Sequence, residues 1–143
     1  MWITDPSNKI VYEAHLYFDR DRSEQYVKSY DEERGSPTMG VDRLKPFTDW
    51  LAERNAVGFL GEFGIPANEG DDPRWLVTME NLVNRLREVR MPGCYWAGGP
   101  WWGKYPLSIE PRNGEDRPQM KVLMGSPKPE TRNPNQTPIT KPE

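Results

Sequence analysis

The sequence predicts an α/β fold in which parallel strands alternate with helices. Short apolar runs with strand periodicity alternate with segments whose apolar residues recur every three to four positions. The resulting order is strand, helix, strand, helix, strand, which is typical of parallel strands joined by helical crossovers. Because such sheets build their sites at the carboxyl ends of the strands, we expect functional side chains there.

The first predicted strand spans residues 10–18. Its even positions are all apolar, whereas its odd positions become polar toward the carboxyl end, where His15 and Tyr17 share one face. Glu13 lies on the same face but deeper, so we expect it to be a buried structural carboxylate with a cationic or hydrogen-bonding partner. The apolar face is suited to packing against helices.

A long loop, a helix and a second strand follow. Residues 19–40 are charged and rich in turn formers, which indicates a loop. Apolar side chains at helical spacing predict a helix over residues 41–55, with Pro46 in its first turns, where a missing N–H is best tolerated. The next apolar run, 57–63, predicts a buried strand that carries Glu62 near its carboxyl end.

Glu62 is the most informative residue of the chain because it lies close to two glycines, Gly61 and Gly64, at a strand end. Burying a carboxylate is costly unless it is paired or hydrogen-bonded. The glycines allow another group to approach the backbone closely. We therefore interpret Glu62 as a functional carboxylate, and a capped, solvated strand end is the alternative.

A second helix and a third strand complete the predicted core. Asp72 is expected to be the N-cap, with Pro73 at the first helical position, of a helix that runs to about Arg90. The third strand is predicted over residues 93–97. Within it, Cys94 is expected to be an inert core residue.

Three tryptophans follow one another at the end of the third strand. Trp96 lies at the strand end, and Trp101 and Trp102 lie in the glycine- and proline-rich loop behind it. Trp96 could be a core residue, but loop indoles such as Trp101 and Trp102 seldom serve only as packing. We expect all three indoles to border a cleft.

Composition limits the choice of fold and function. The chain has 143 residues, 15 prolines and 12 glycines. Its mean hydropathy of -0.89 is low for a chain of this length that must bury a hydrophobic core of its own. We expect residues 1–124 to be the folded portion. Residues 125–143 are rich in proline and are expected to be a disordered tail or linker.

Several partner classes are disfavoured. The net charge of -3 argues against nucleic acid and anionic membranes. No apolar run is long enough to span a bilayer, and the first residues do not form a signal peptide. One cysteine and one histidine make an internal disulfide impossible and a zinc site unexpected. We therefore expect neither a metal nor a cofactor.

The strand ends bring these observations together. Neighbouring parallel strands lie about 4.8 Å apart, so the polar and aromatic groups at their ends should converge in one cleft. Indole faces stack on sugar rings, and carboxylates act on glycosidic bonds, so the combination favours a carbohydrate. A packing role for the histidine is the alternative. The expected cleft residues are His15, Tyr17, Glu62, Trp96, Trp101 and Trp102.

Several separated motifs carry a family resemblance. They are IVYEAHLYFD at 10–19, VDRLKPFTDWL at 41–51, GFLGEFGIPA at 58–67, MPGCYWAGGPWWG at 91–103 and YPLSIEP at 105–111. In this order they resemble the C-terminal part of cellulases of glycoside hydrolase family 5. The resemblance covers roughly residues 2–123.

The resemblance implies a (β/α)8 TIM barrel, of which this chain would be a partial barrel comprising strands six to eight and their helices. It also implies a retaining endo-β-1,4-glucanase that acts on β-glucan or oligosaccharides, needs no cofactor and is secreted. Glu62 resembles the nucleophile, and His15 and Tyr17 resemble the pair that contacts substrate and orients the carboxylates. Trp96 resembles the indole that packs against the sugar beside the cleavage point, with Trp101 and Trp102 in the cleft wall.

One departure from the family is important. The family's acid/base is a glutamate in an Asn-Glu-Pro motif on strand four, and this chain contains no Asn-Glu-Pro. We therefore expect the isolated chain to be inactive or nearly so, and to need the missing N-terminal part of the barrel or to self-associate. The alternatives are a non-catalytic carbohydrate-binding or assembly module and a truncated product with no selected role.

Overall fold

The computed structural model describes residues 3, 5–7, 9–68 and 70–125. Within them, three parallel strands form one sheet in the order β1-β2-β3, and a helix connects each strand to the next. The predicted α/β class and its parallel strands are therefore confirmed. The elements are β1 (Val11–Tyr17), α1 (Met39–Glu53), β2 (Val57–Gly64), α2 (Arg74–Glu88), β3 (Gly93–Tyr95), a 3-10 turn (Pro100–Trp102) and α3 (Pro118–Met124).

An irregularity in the pairing of β1 with β2 determines which side chains share a face. Ala14 pairs with Leu60, but His15 pairs with Glu62, so Gly61 is an extra residue on β2. A shift of one residue moves the following side chains to the opposite face of a strand. The bulge therefore places Glu62 on the face of His15.

The core lies between the sheet and the two long helices. Leu60 and Phe63 of β2 face the helices although they are three positions apart, because the bulge at Gly61 intervenes. Met79 and Leu82 of α2 pack into the same cluster. Burying side chains of this size stabilises the fold by about 1.5–3 kcal/mol each.

The element ends differ slightly from those expected. Helix α1 begins at Met39 and α2 ends at Glu88, and the third strand ends at Tyr95 rather than at residue 97. Asp72 is not the N-cap, since Pro73 holds that position. The Asp72 carboxylate nevertheless accepts a hydrogen bond of 2.9 Å from the backbone N–H of Arg74. Helix α3 was not predicted.

Two expectations about burial are wrong. The Glu13 side chain is 55% exposed, because its face of β1 is open to solvent in the described structure. Cys94 is exposed, since β3 is paired on one side only in the described sheet.

The loop between β1 and α1 is tied to the sheet. The hydroxyl of Tyr26 accepts a hydrogen bond of 2.9 Å from the N–H of Phe18 and donates one of 2.6 Å to the carbonyl of Gly64. The Arg43 guanidinium of α1 donates to the carbonyl of Asp19 at 2.8 Å. The loop is therefore held against the carboxyl ends of β1 and β2.

No helix in the described part of the chain combines the length and the apolarity needed to cross a bilayer. The predicted tail at residues 125–143 falls, apart from Gly125, outside the described residues.

Candidate active site

The carboxylate of Glu62 lies at the carboxyl end of β2 and is held by two side chains of β1. Its Oε2 accepts a hydrogen bond of 2.8 Å from the Tyr17 hydroxyl. The same oxygen lies 3.2 Å from Nδ1 of His15. The Glu62 side chain is 23% exposed, so it is oriented by the protein and still reachable from solvent.

His15 lies between two carboxylates. Its Nδ1 faces Glu62, and its Nε2 lies 3.4 Å from Oε1 of Glu13. A neutral imidazole carries a single N–H and can donate to only one of them, whereas the protonated ring can donate to both. Both contacts are short enough to fix the plane of the imidazole ring beside the Glu62 carboxylate.

Tyr17 remains a hydrogen-bond donor over the whole physiological pH range. Burial raises the pKa of its phenol well above the ordinary value, and the neighbouring carboxylates of Glu62 and Glu24 raise it further. A neutral phenol donates to an ionised carboxylate and thereby stabilises the charged form. The arrangement holds Glu62 in one orientation with one oxygen engaged.

An aromatic wall lies beside this carboxylate. The ring of Trp102 is 4.8 Å from Trp96 at an interplanar angle of 67° and 5.1 Å from Tyr105 at 38°. The backbone N–H of Trp96 donates a hydrogen bond of 2.8 Å to the carbonyl of Phe63, the neighbour of Glu62. The wall is therefore joined to β2 directly next to the carboxylate.

Gly64 permits this close approach of β3 to β2. A Cβ at position 64 would lie 2.2 Å from the carbonyl oxygen of Trp96, which is a backbone atom with little freedom to move. The Trp96–Ala97 peptide at this point is cis. Glycine is the residue that the packing accepts here.

The structure brings most of the predicted residues into this region. His15 and Tyr17 each contact Glu62, and Trp96 and Trp102 form the adjacent wall. Trp101 stands apart at the surface with 92% exposure.

Sequence reasoning missed two residues of the site. Glu24, in the loop after β1, accepts a hydrogen bond of 3.4 Å from the hydroxyl of Tyr105. Tyr105 opens the YPLSIEP segment, which could have drawn attention to it. Nothing in the pattern around Glu24 distinguishes it from the other acidic residues of that loop.

The described residues contain no cluster of three or more histidine, cysteine, aspartate or glutamate side chains suited to holding a metal ion. The groups present at the site are the carboxylates of Glu62 and Glu24, the imidazole of His15, the phenols of Tyr17 and Tyr105, and the neighbouring indoles.

Comparison with family models identifies the family of the chain. The model of the cellulase family, glycosyl hydrolase family 5, matches residues 2–101. The chain belongs to glycosyl hydrolase family 5. The family resemblance carried by the separated motifs is thereby confirmed.

Individual relatives of this family 5 chain are named endoglucanases. It is 38% identical over 112 residues to endo-beta-1,4-glucanase B of Aspergillus niger, a match that covers 78% of this chain and 32% of that protein. Endoglucanase Cel5A of Pseudomonas stutzeri, solved in complex with cellobiose, has a TM-score of 0.75 and 47% identity, with 85% of this chain and 36% of that chain covered.

A second solved structure, XacCel5A in complex with cellopentaose, has a TM-score of 0.73 and 32% identity. That match covers 85% of this chain and 38% of the other. The family 5 chain thus spans about a third of the length of the curated relatives that it matches.

Proposed function

We propose that this chain supplies strands six to eight of a (β/α)8 barrel of a retaining endo-β-1,4-glucanase, with Glu62 as the nucleophile. The observation that carries the proposal is the Glu62 carboxylate, held by Tyr17 at 2.8 Å and by His15 at 3.2 Å at the carboxyl end of β2. Sites of barrel enzymes lie at this end of the strands. Residues 1–124 would be the barrel portion and 125–143 a disordered tail or linker.

In this mechanism the Glu62 carboxylate attacks the anomeric carbon and forms a covalent glycosyl–enzyme intermediate, while the glycosidic C–O bond breaks and the leaving oxygen takes a proton from the acid/base. Tyr17 fixes the orientation of the carboxylate through its hydrogen bond to Oε2. His15 keeps an N–H next to the carboxylate and contacts the substrate. The oxygen that forms the new bond would be Oε1 of Glu62, because Tyr17 and His15 both contact Oε2.

The aromatic wall would bind the glucan chain. Trp96 packs against the sugar beside the cleavage point, because its backbone is bonded next to Glu62. Trp102 supports Trp96 through its ring contact of 4.8 Å. The exposed Trp101 is suited to stack on a more distant sugar unit. The substrate class is β-1,4-glucan or its oligosaccharides.

We propose that the acid/base comes from outside this chain. A retaining pair requires carboxyl groups about 5–5.5 Å apart with a sugar between them. Glu13 and Glu24 are the carboxylates nearest in the described network, but each is reached through a side chain that already holds Glu62. We therefore assign the acid/base role to neither of them, and we expect that the isolated chain does not hydrolyse cellulose.

The missing barrel strands would come from the remaining barrel portion. In its absence, a second copy of this chain would pair with the free strand edges. In the described sheet, β1 and β3 each pair on one side only, and such free edges favour pairing with further strands. The enzyme would act outside the cell, because its polymeric substrate is located there.

A mechanism-based label tests the nucleophile. 2,4-Dinitrophenyl 2-deoxy-2-fluoro-β-cellobioside needs no acid, because dinitrophenolate leaves without protonation. Its fluorine slows hydrolysis of the glycosyl–enzyme intermediate, so the label stays on the protein. We expect the peptide containing Glu62 to gain one fluorocellobiosyl group by mass spectrometry. Glu62→Gln should not be labelled, whereas the control Glu53→Gln, at the exposed end of α1, should be labelled normally. Labelling at another residue would reject the assignment.

Azide tests the missing acid/base. With 2,4-dinitrophenyl β-cellobioside the glycosyl–enzyme should form but persist, because no base activates water. Azide requires no base, so we expect it to accelerate turnover and to release β-cellobiosyl azide with retained configuration. Efficient hydrolysis without azide would show that an acid/base is present in this chain.

A non-catalytic carbohydrate-binding module is the second candidate, favoured by the 92% exposure of Trp101 next to the edge-to-face pair of Trp96 and Trp102. In that case cellotetraose would bind and quench tryptophan fluorescence, but no label would form on Glu62. The two experiments together separate an incomplete enzyme from a binding module.

A further inference from the structure

We infer that Glu13 is a positioning residue that acts on Glu62 through His15, and that Gly61 leaves the space in which the Glu13 carboxylate lies. The inference deepens the proposed function and rests on it for the role of Glu62. The proposed reaction does not otherwise use Glu13, although its carboxylate lies on the same face of the sheet as Glu62.

Glu13 and Glu62 contact the imidazole of His15 at different ring nitrogens. Oε1 of Glu13 lies 3.4 Å from Nε2, and Oε2 of Glu62 lies 3.2 Å from Nδ1. A single contact leaves a histidine ring free to swing about the bond that joins it to Cβ, whereas a second contact at the other nitrogen restricts that motion. Glu13 therefore helps to set the orientation in which His15 meets the nucleophile.

The position of the Glu13 carboxylate depends on the lack of a side chain at residue 61. A Cβ there would lie 1.7 Å from Oε1 of Glu13, 2.6 Å from its Cδ and 2.8 Å from its Cγ. The φ of Gly61 is not in the left-handed region, so the backbone alone would accept alanine. It is the Glu13 side chain, reaching from β1 across β2, that requires glycine at this position.

The bulge in β2 has two effects on the site. Ala14 pairs with Leu60 and His15 pairs with Glu62, so Gly61 is the extra residue. Its insertion turns Glu62 to the face of His15, as bulges beside active sites often re-aim a side chain. Its missing side chain admits the carboxylate that contacts the other nitrogen of His15. One residue therefore arranges both contacts of the imidazole.

The exposure of the pair argues against a role in stabilising the fold. The Glu13 side chain is 55% exposed and that of His15 is 50% exposed. Exposed pairs of this kind contribute little to the free energy of folding, because water screens them. Breaking the contact should therefore leave the melting temperature of the chain nearly unchanged, and its effect should appear at His15 and Glu62.

The first experiment measures the motion of the His15 ring in the full chain. His15 is the only histidine of the sequence, so its ring signals are unambiguous. NMR relaxation of the ring Cε1–H group reports motion on the picosecond-to-nanosecond timescale. We expect this motion to increase in Glu13→Ala, and also in Gly61→Ala, whose methyl group displaces the Glu13 carboxylate.

The control is Glu53→Ala, which removes an equally exposed carboxylate from the end of α1 and should leave the ring motion unchanged. A carboxylate without a hold on His15 could be removed without any change in this measurement. Unchanged ring motion in Glu13→Ala overturns the inference.

The second experiment is a double-mutant cycle on the rate at which the fluorocellobioside labels Glu62. Glu13→Ala and Gly61→Ala should each slow labelling by about two-fold to ten-fold, the range for loss of one hydrogen bond. Both remove the Glu13 carboxylate from His15, so the double variant should label no more slowly than the slower single variant. Normal labelling in Glu13→Ala overturns the positioning role. Multiplication of the two single effects in the double variant overturns the assignment of Gly61, because Gly61→Ala would then act on Glu62 without Glu13.

The two experiments also separate this inference from the proposed function. Absence of labelling in the unmodified chain rejects Glu62 as the nucleophile. The hold of Glu13 on His15 is decided by the ring motion, which requires no reaction.

Discussion

The hydroxyl of Tyr17 donates a hydrogen bond of 2.8 Å to Oε2 of Glu62, although the two residues are 45 positions apart. Parallel pairing of β1 with β2 brings the strand ends together, and the bulge at Gly61 turns Glu62 to the face of Tyr17. Most features of the candidate site depend on this single relationship.

Tyr17→Phe should slow the labelling of Glu62 by the fluorocellobioside by about 10-fold to 150-fold, since a hydrogen bond to a charged group is worth about 1.5–3 kcal/mol. The ring is kept, so packing should change little. Tyr12→Phe is the matched control, because Tyr12 lies on the opposite face and packs edge-on against Trp50 at 4.9 Å. Equal labelling rates in Tyr17→Phe and the unmodified chain would contradict the orienting role.

Gly64→Ala should destabilise the fold by about 1–3 kcal/mol, because overpacked sites relax poorly. The added Cβ meets the carbonyl of Trp96 at 2.2 Å. Gly61→Ala is the control, since there the Cβ meets the end of the flexible Glu13 side chain, which can move away. Urea unfolding gives the free energy of unfolding of both variants. Comparable stabilities would show that β3 can shift freely away from β2.

Leu60→Ala should lower the free energy of unfolding by about 2–5 kcal/mol, the range for deleting a fully buried leucine. Leu60 is completely buried beneath the bulge. Val57→Ala, on the same strand but 60% exposed, should change it by less than about 1 kcal/mol. If Leu60→Ala were as stable as Val57→Ala, the described core would be wrong.

Trp96→Ala should weaken cellotetraose binding more than Trp101→Ala does. Trp96 is partly buried and its ring contacts that of Trp102, whereas the side chain of Trp101 is 92% exposed to solvent. Truncating a central aromatic anchor typically costs about 2 kcal/mol or more, which is about 30-fold in affinity. Isothermal titration calorimetry gives both values, and the reverse order would move the main sugar contact to the outer loop.

Alkaline pH should unfold the chain over a defined range. Burial raises the pKa of Tyr17, Tyr26, Tyr95 and Tyr105 above the ordinary 10.0, to about 12 for Tyr105. Above pH 10 the unfolded chain ionises these phenols while the folded chain keeps them neutral, so stability is full below pH 10 and falls as pH rises. Circular dichroism between pH 8 and 12 measures the loss.

The control for this prediction is a titration from pH 8 to 6, over which the tyrosines stay neutral and should contribute no change in stability. A melting temperature that remained constant up to pH 12 would show that the phenols are not buried as described.

The sequence was sufficient to predict the class of the fold. Strand and helix periodicities in residues 10–97 gave the order of elements correctly, because those periods follow from backbone geometry. Element ends were less certain, as with α1 and β3, because tertiary contacts decide where a helix or strand stops. Helix α3 was missed, since its seven residues carry too short a pattern to recognise.

The site was predictable where residue type and strand position coincide, as for His15, Tyr17 and Glu62. Glu13 and Cys94 were misjudged because periodicity assigns a face but not what covers that face. The contact of Glu24 with Tyr105 could not have been predicted, because the two residues lie in different loops and are 81 positions apart.

The sequence by itself therefore determined the family, the alternation of strands and helices, and the carboxylate at a strand end. Only the tertiary structure decided that Gly61 is a bulge, that Glu62 shares its face with His15 and Tyr17, and that Glu24 accepts a hydrogen bond from Tyr105. The physical reason is that local patterns fix dihedral angles and periodicity. Register, loop placement and hydrogen-bond partners depend on contacts between residues that are distant in the chain.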